Sequence, residues 1–138
     1  MYFDEEVVLD VRLNALDKYV DYFVIVESEF THSGDKRDLK FNHKKFEKFK
    51  NKIIYKVFNK PPKNLENIND NDSEEIKGNK YIINAIKREN GQRNLIDEGL
   101  YKAEKNDVIL ISDVDEIPDL SKIDFSKVTE KILMFRQD

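Results

Sequence analysis

The chain contains no cysteine in its 138 residues. This one absence excludes a disulfide framework, a thiolate nucleophile and a cysteine-ligated zinc site, and it suits a reducing compartment. Long apolar runs are missing as well, none approaching the ~18 residues of a membrane span. The opening stretch MYFDEEVVLDVRL carries acids where a signal peptide carries basic residues. The expectation is a cytoplasmic protein without a transmembrane segment, at most peripheral at a membrane. A basic face is also lacking: 24 Lys and Arg stand against 28 Asp and Glu, for a formal net charge of −4. The lysines are scattered among acids, so nothing in the charge pattern recruits nucleic acid.

What is present can still build a core, because 39% of residues are hydrophobic against 38% charged. The length fits one domain, 1–138. Residues 4–20 read as an amphipathic helix capped by Asp4, with Leu9, Leu13, Leu16 and Val20 as its buried stripe. The run DYFVIVES, 21–28, reads as a buried strand. A charged loop, a short basic helix at about 43–51 and a second strand, KIIYKVF, follow. Residues 59–79 hold two prolines and many Asn and Asp, which makes them a polar loop or lid. Residues 80–104 have helical spacing, with Ile82, Ile86, Ile96, Leu100 and Ala103 on one face and a break threatened at Asn90-Gly91. DVILISD supplies a third strand and KILMFR a fourth. Helices alternating with short apolar strands point to an α/β domain with a mainly parallel sheet, in which ligands bind beyond the carboxyl ends of the strands.

At one such end stands ISDVDEIPD, residues 111–119, with four carboxylates after an apolar run. Residues two apart in extended chain point the same way, so Asp113 and Asp115 can converge while Val114 turns aside. Two bare carboxylates ~4 Å apart repel by about 4 kcal/mol at an effective dielectric of 20. A divalent cation removes that repulsion, and magnesium or manganese takes such hard oxygens together with waters and phosphates. An Asp-x-Asp pair can therefore hold a metal against a diphosphate. A solvated acidic turn explains the same residues. An EF-hand loop does not, since Ile117 stands where a third ligand belongs and no glycine follows. A phosphatase of the haloacid-dehalogenase type, whose first Asp attacks phosphate, remains an alternative, although its motif normally opens the domain.

Three blocks go further. FDEEVVLDVRLNALDKYVDYFVIVESEFTHSGDKRDLKF, RENGQRNLIDEGL and DVILISDVDEIPD, in this order, resemble glycosyltransferase family 17. The resemblance implies a GT-A-like (Rossmann-related) fold, of which this chain would supply the nucleotide-sugar-binding half. It also implies a divalent metal (Mn2+ or Mg2+) and a nucleotide-sugar donor, a UDP-sugar in particular. The reaction would be inverting transfer of an N-acetylglucosamine-like sugar to a glycan or polysaccharide acceptor. Asp113 and Asp115 would bind the metal that bridges to the donor diphosphate, and Glu116 would reach it through water or stay solvated. Glu27 and Ser28, at the end of the first strand, would face the nucleotide, though a turn role accounts for them equally. Arg88 and Arg93 would meet donor phosphates or else pair with acids such as Glu89. Thr31, Lys36 and Gln92 match without a role, and no residue stands out as the base that an inverting transfer requires. A binding remnant without transfer activity is the further alternative.

Overall fold

A computed structural model describes residues 1–135. Its first helix, α1 (Glu6–Leu16), carries Leu9, Leu13 and Leu16 on the buried side, the spacing of a helix with one apolar face. The residue before it is Glu5 rather than Asp4, and no side chain caps the helix. Glu5 instead folds its carboxylate back onto the amides of Phe3 and Asp4, at 2.9 and 3.1 Å, closing the turn ahead of the helix. At the other end Lys52 donates to the carbonyls of Asp17 and Val20, a cation where the helix leaves its acceptors unpaired.

Two strands follow, β1 (Phe23–Ser28) and β2 (Ile53–Phe58), paired in parallel from Phe23 opposite Ile53 to Ser28 opposite Phe58. Alternation divides their side chains between two layers. Phe23 and Ile25 join the core with Leu9, Leu13, Leu16, Phe46 and Phe49, and Ile53 and Tyr55 pack against it. On the opposite face lie Val24 and Phe58, which meet the second helix and the 3-10 turn behind it. The basic segment expected to be a helix at 43–51 is only a 3-10 turn, Glu47–Phe49. Phe46 and Phe49, three apart, enter the core together from it, so the two rings rather than a helical stripe set its shape.

The second helix, α2 (Glu74–Asn94), begins earlier and ends earlier than its sequence spacing suggests. Ser73 is the cap, its Oγ accepting from the Ile76 amide at 3.3 Å, and Glu74 and Glu75 fill the first turn. The polar stretch before it is strapped to the helix. Asn84 accepts from the Glu66 amide at 2.6 Å and donates to the Glu66 carbonyl at 2.9 Å. Lys80 reaches Asp72, and Lys87 reaches Glu66, each at 2.6 Å.

Asn90-Gly91 does not break α2. Gly91 is there for close approach: a Cβ would come 2.8 Å from the tip of the Phe58 ring. Gly99, in the 3-10 turn Leu95–Gly99, lies just as tightly against Val24 of β1. Of the residues expected on one face, Ile82 and Ile86 turn outward, 61% and 50% exposed, while Ile96 and Leu100 lie beyond the helix and are half-buried. The helix docks through Asn84, Gly91 and Gln92, with hydrogen bonds and a missing side chain in place of an oily face.

The expected third and fourth strands are absent among the described residues. Val108 and Ile111 are each 62% exposed, and of that run Leu110 packs against the core. The edge of β1 where a third strand would pair is already engaged, because the Val26 carbonyl accepts from the Tyr2 amide at 2.9 Å and from Gln92 at 3.1 Å. Residues 132–135 run without strand pairing, and Arg136, the last residue of the expected fourth strand, lies outside the described residues. The class remains α/β with a parallel sheet, a small one of two strands flanked by helices. No helix among the described residues is long and apolar enough to cross a membrane.

Candidate functional site

Residues 112–117 form a tight acidic turn, not the extended strand end at which alternation would point Asp113 and Asp115 the same way. The Glu116 amide donates to the Asp113 carbonyl at 3.2 Å and the Ile117 amide to the Asp115 carbonyl at 3.1 Å. Glu116 bends back so that its carboxylate accepts from the Asp113 amide at 3.0 Å. Val114 and Ile117 pack inward against the core, and Leu120 is buried within it, which pins the turn from below. Asp113, Asp115 and Glu116 point into solvent. The carboxylates of Asp113 and Asp115 take part in no hydrogen bond among the described residues; the cation beside Asp113 is Arg93, with Nη2 3.6 Å from Oδ1.

The turn is held from α1. Arg12 donates through Nη1 to the carbonyls of Asp113, at 2.9 Å, and Glu116, at 2.8 Å, and through Nη2 to Ser112 Oγ at 2.7 Å. Burial lowers the pKa of its guanidinium, while the neighbouring Glu116, Asp113 and Asp115 oppose that shift. An arginine stays charged through such a change. Arg12 and Ser112 are the residues sequence reasoning missed. On α1 an arginine outside the leucine stripe reads as solvated, and its partners lie about a hundred residues away in the chain, where no local spacing reveals them.

The other expected site residues serve different ends. Glu27 is fully buried at 0% exposure. Its carboxylate accepts from the amides of Lys40 and Phe41, at 2.6 and 3.0 Å, and from the Tyr55 hydroxyl at 2.8 Å, with Arg37 Nη1 3.3 Å away. These partners anchor the segment after β1 to the sheet. Burial, then the bond to Glu27, pushes the Tyr55 phenol well above its ordinary value, so it remains a proton donor. Ser28 closes a local turn, its hydroxyl bonding both the amide and the carbonyl of Phe30 at 2.9 Å.

Arg88 pins the turn at 31–35: Nη1 donates to the His32 carbonyl at 2.9 Å, and its guanidinium fills the space where Gly34, at φ 101°, has no Cβ. Thr31 stays within that turn, bonded to Ser33 and Asp35, and Lys36 bridges back to Phe30. The structure thus sets Arg93 beside Asp113 and Arg12 against the backbone of the turn and Ser112, with Asp115 two residues on in the same turn. It leaves Glu27, Ser28 and Arg88 in their own contacts, with no hydrogen bond or ion pair to the acidic turn among the described residues.

No group of three or more His, Cys, Asp or Glu side chains poised to share an ion occurs among the described residues. Two carboxylates are nevertheless the number with which magnesium is commonly bound, waters and substrate phosphates filling the remaining positions. Two solvent-facing carboxylates free of hydrogen bonds therefore fit a hard cation whose other ligands arrive with a diphosphate. An open groove runs beside the turn, lined by Ala15, Lys18 and Tyr19 of the α1 end and by Ile117, Pro118 and Asp119.

Compared with models of protein families, residues 1–135 match the one described as glycosyltransferase family 17. No curated protein and no solved structure matches the chain.

Proposed function

The chain belongs to glycosyltransferase family 17, and from that premise we propose that it transfers an N-acetylglucosamine-like sugar from a UDP-sugar to a glycan acceptor, with inversion at the anomeric carbon. Glycosyl transfer follows from the family. The donor, the metal and the stereochemical course belong to the proposal, as does a GT-A-like, single-domain organisation of 1–138 as the donor-binding unit. The observation that carries it is the acidic turn, whose Asp113 and Asp115 carboxylates are exposed and accept no hydrogen bond among the described residues, with Arg93 beside Asp113.

In this reading Asp113 and Asp115 hold Mn2+ or Mg2+. The ion, when bound, supplies Lewis acidity to the departing nucleoside diphosphate. Arg93 is half-exposed and shared between Glu89, at 3.2 Å, and Asp113, which leaves N–H donors of its fork for a phosphate oxygen. Arg88 contributes indirectly by fixing the turn at 31–35. Glu27 contributes by holding the end of β1 and the segment after it in place.

Thermal unfolding with UDP-N-acetylglucosamine and Mn2+ tests the proposal. Ligand at 100 times its dissociation constant adds about 2.7 kcal/mol of stability. The shift should require metal, and Asp113→Asn and Asp115→Asn should each remove it. Release of UDP in the presence of a glycan acceptor should follow the same pattern. Should no nucleotide sugar raise the melting temperature in the presence of Mn2+ or Mg2+, the proposal fails.

A further inference from the structure

We propose that Arg12 is a positioning residue of the diphosphate-metal site: its guanidinium grips the backbone of the acidic turn so that the carboxylates of Asp113 and Asp115 stay free to coordinate. This rests on the donor-site reading given above.

Arg12 is notable for what it does not bind. Three carboxylates stand on the turn in front of it, and a guanidinium normally takes a carboxylate as a two-pronged pair. Arg12 passes all three by. Its hydrogen bonds go to two carbonyls, Asp113 and Glu116, and to the Ser112 hydroxyl. Ser112 passes the restraint on, its Oγ donating to the Glu116 carbonyl at 3.2 Å. Glu116 closes the ring through the Asp113 amide. Every group fixed in this set is main chain, the Ser112 hydroxyl or the Glu116 carboxylate, and the oxygens left over belong to Asp113 and Asp115.

The second point is electrostatic. Like charges crowded on one short turn repel, and a fixed cation beneath them offsets part of that repulsion before any ion arrives. Half-buried and rooted on α1, whose leucines are in the core, the guanidinium is held by its bonds to two carbonyls and Ser112 rather than by an aspartate carboxylate. It tethers the turn to a rigid element, as groups around a metal site do when they orient its ligands. A lysine could supply the charge but lacks the planar fork that reaches three acceptors at once.

Mn2+ binding in the presence of UDP, read from the electron paramagnetic resonance of the free ion, separates the possibilities without requiring turnover. For Arg12→Lys the expected result is a loss of about tenfold in Mn2+ affinity, with a cooperative thermal transition confirming that the variant is folded. Ser112→Ala removes one acceptor without touching α1 and should cost about two- to tenfold. It decides the matter alone if Arg12→Lys does not fold. Folded Arg12→Lys with the affinity of the unsubstituted protein overturns the inference, as does an unchanged Ser112→Ala should it be the deciding variant. Either result leaves the donor-site reading intact. Absence of Mn2+ binding by the unsubstituted protein overturns both.

Discussion

Replacing Glu27 by Gln tests the interior of the molecule and, in the same experiment, the role of this residue. The substitution keeps volume and shape, so no cavity forms. It exchanges one carboxylate oxygen for an NH2 group in a place where all the neighbours donate: the amides of Lys40 and Phe41, the Tyr55 hydroxyl and the Arg37 guanidinium. It also removes the negative charge facing Arg37, whose side chain is only 9% exposed. Breaking a buried ion pair from one side costs about 3–5 kcal/mol. For a chain of 138 residues each kcal/mol lowers the melting temperature by about 3–4 °C, so a fall of roughly 10–20 °C is expected. Thermal unfolding followed by circular dichroism measures it, and UDP affinity is measured well below the transition. If Glu27 faced the nucleotide, the variant would melt normally and bind UDP weakly. A melting temperature within about 3 °C of the parent would refute the structural role assigned here.

Gly91→Ala gains helix propensity of about 1 kcal/mol but drives a methyl to within 2.8 Å of the Phe58 ring. Overpacking of this kind costs about 1–3 kcal/mol, so melting should fall by a few degrees, and a rise would contradict the close packing of α2 on β2. Replacing Ile82 and Ile86 by Ser should shift stability by no more than about 0.5 kcal/mol each; a large loss would mean that their face of α2 is covered. The Asn69 amide donates to Asp72 Oδ2 at 2.9 Å, and bonds from Lys80 and then Asn69 lower the Asp72 pKa below its ordinary 3.8. A depressed acid stabilises the fold above its ordinary value and loses that contribution as pH falls through the lower, folded value. The Asn69 amide resonance should therefore titrate with a midpoint under 3.8, and a midpoint at or above it would contradict the strap between the polar stretch and α2.

The parts of the fold legible in the sequence are those held by oily contacts of short spacing. Leu9, Leu13 and Leu16 mark α1, and FVIVES and IIYKVF mark the two strands, because burial there follows the period of each element. The second helix defeated that logic. Its inward side is Asn84, Gly91 and Gln92, and hydropathy assigns such residues to water when their hydrogen-bond partners are unknown. Ile82 and Ile86 accordingly face solvent, against the expectation from their spacing. The run VILI failed for a related reason: apolar character shows that a segment can be buried, but not whether an edge is open to receive it, and Tyr2 and Gln92 already occupy the Val26 carbonyl. In the acidic turn, Asp113 and Asp115 are legible as a candidate metal pair because carboxylate spacing is local. Arg12 did not, since its meaning lies in contacts 101 and 104 residues away along the chain. The contact of Arg88 with the turn at 31–35 was not legible either, since no local spacing shows that Gly34 makes room for a guanidinium.

The central claim is that Asp113 and Asp115 together hold a divalent ion against a sugar donor's diphosphate. A crystal structure with Mn2+ and UDP tests it most directly. One ion bridging both carboxylates to the diphosphate is expected, with Arg93 within hydrogen-bonding reach of a phosphate oxygen. UDP bound away from the turn, or an ion that touches neither aspartate, would contradict it.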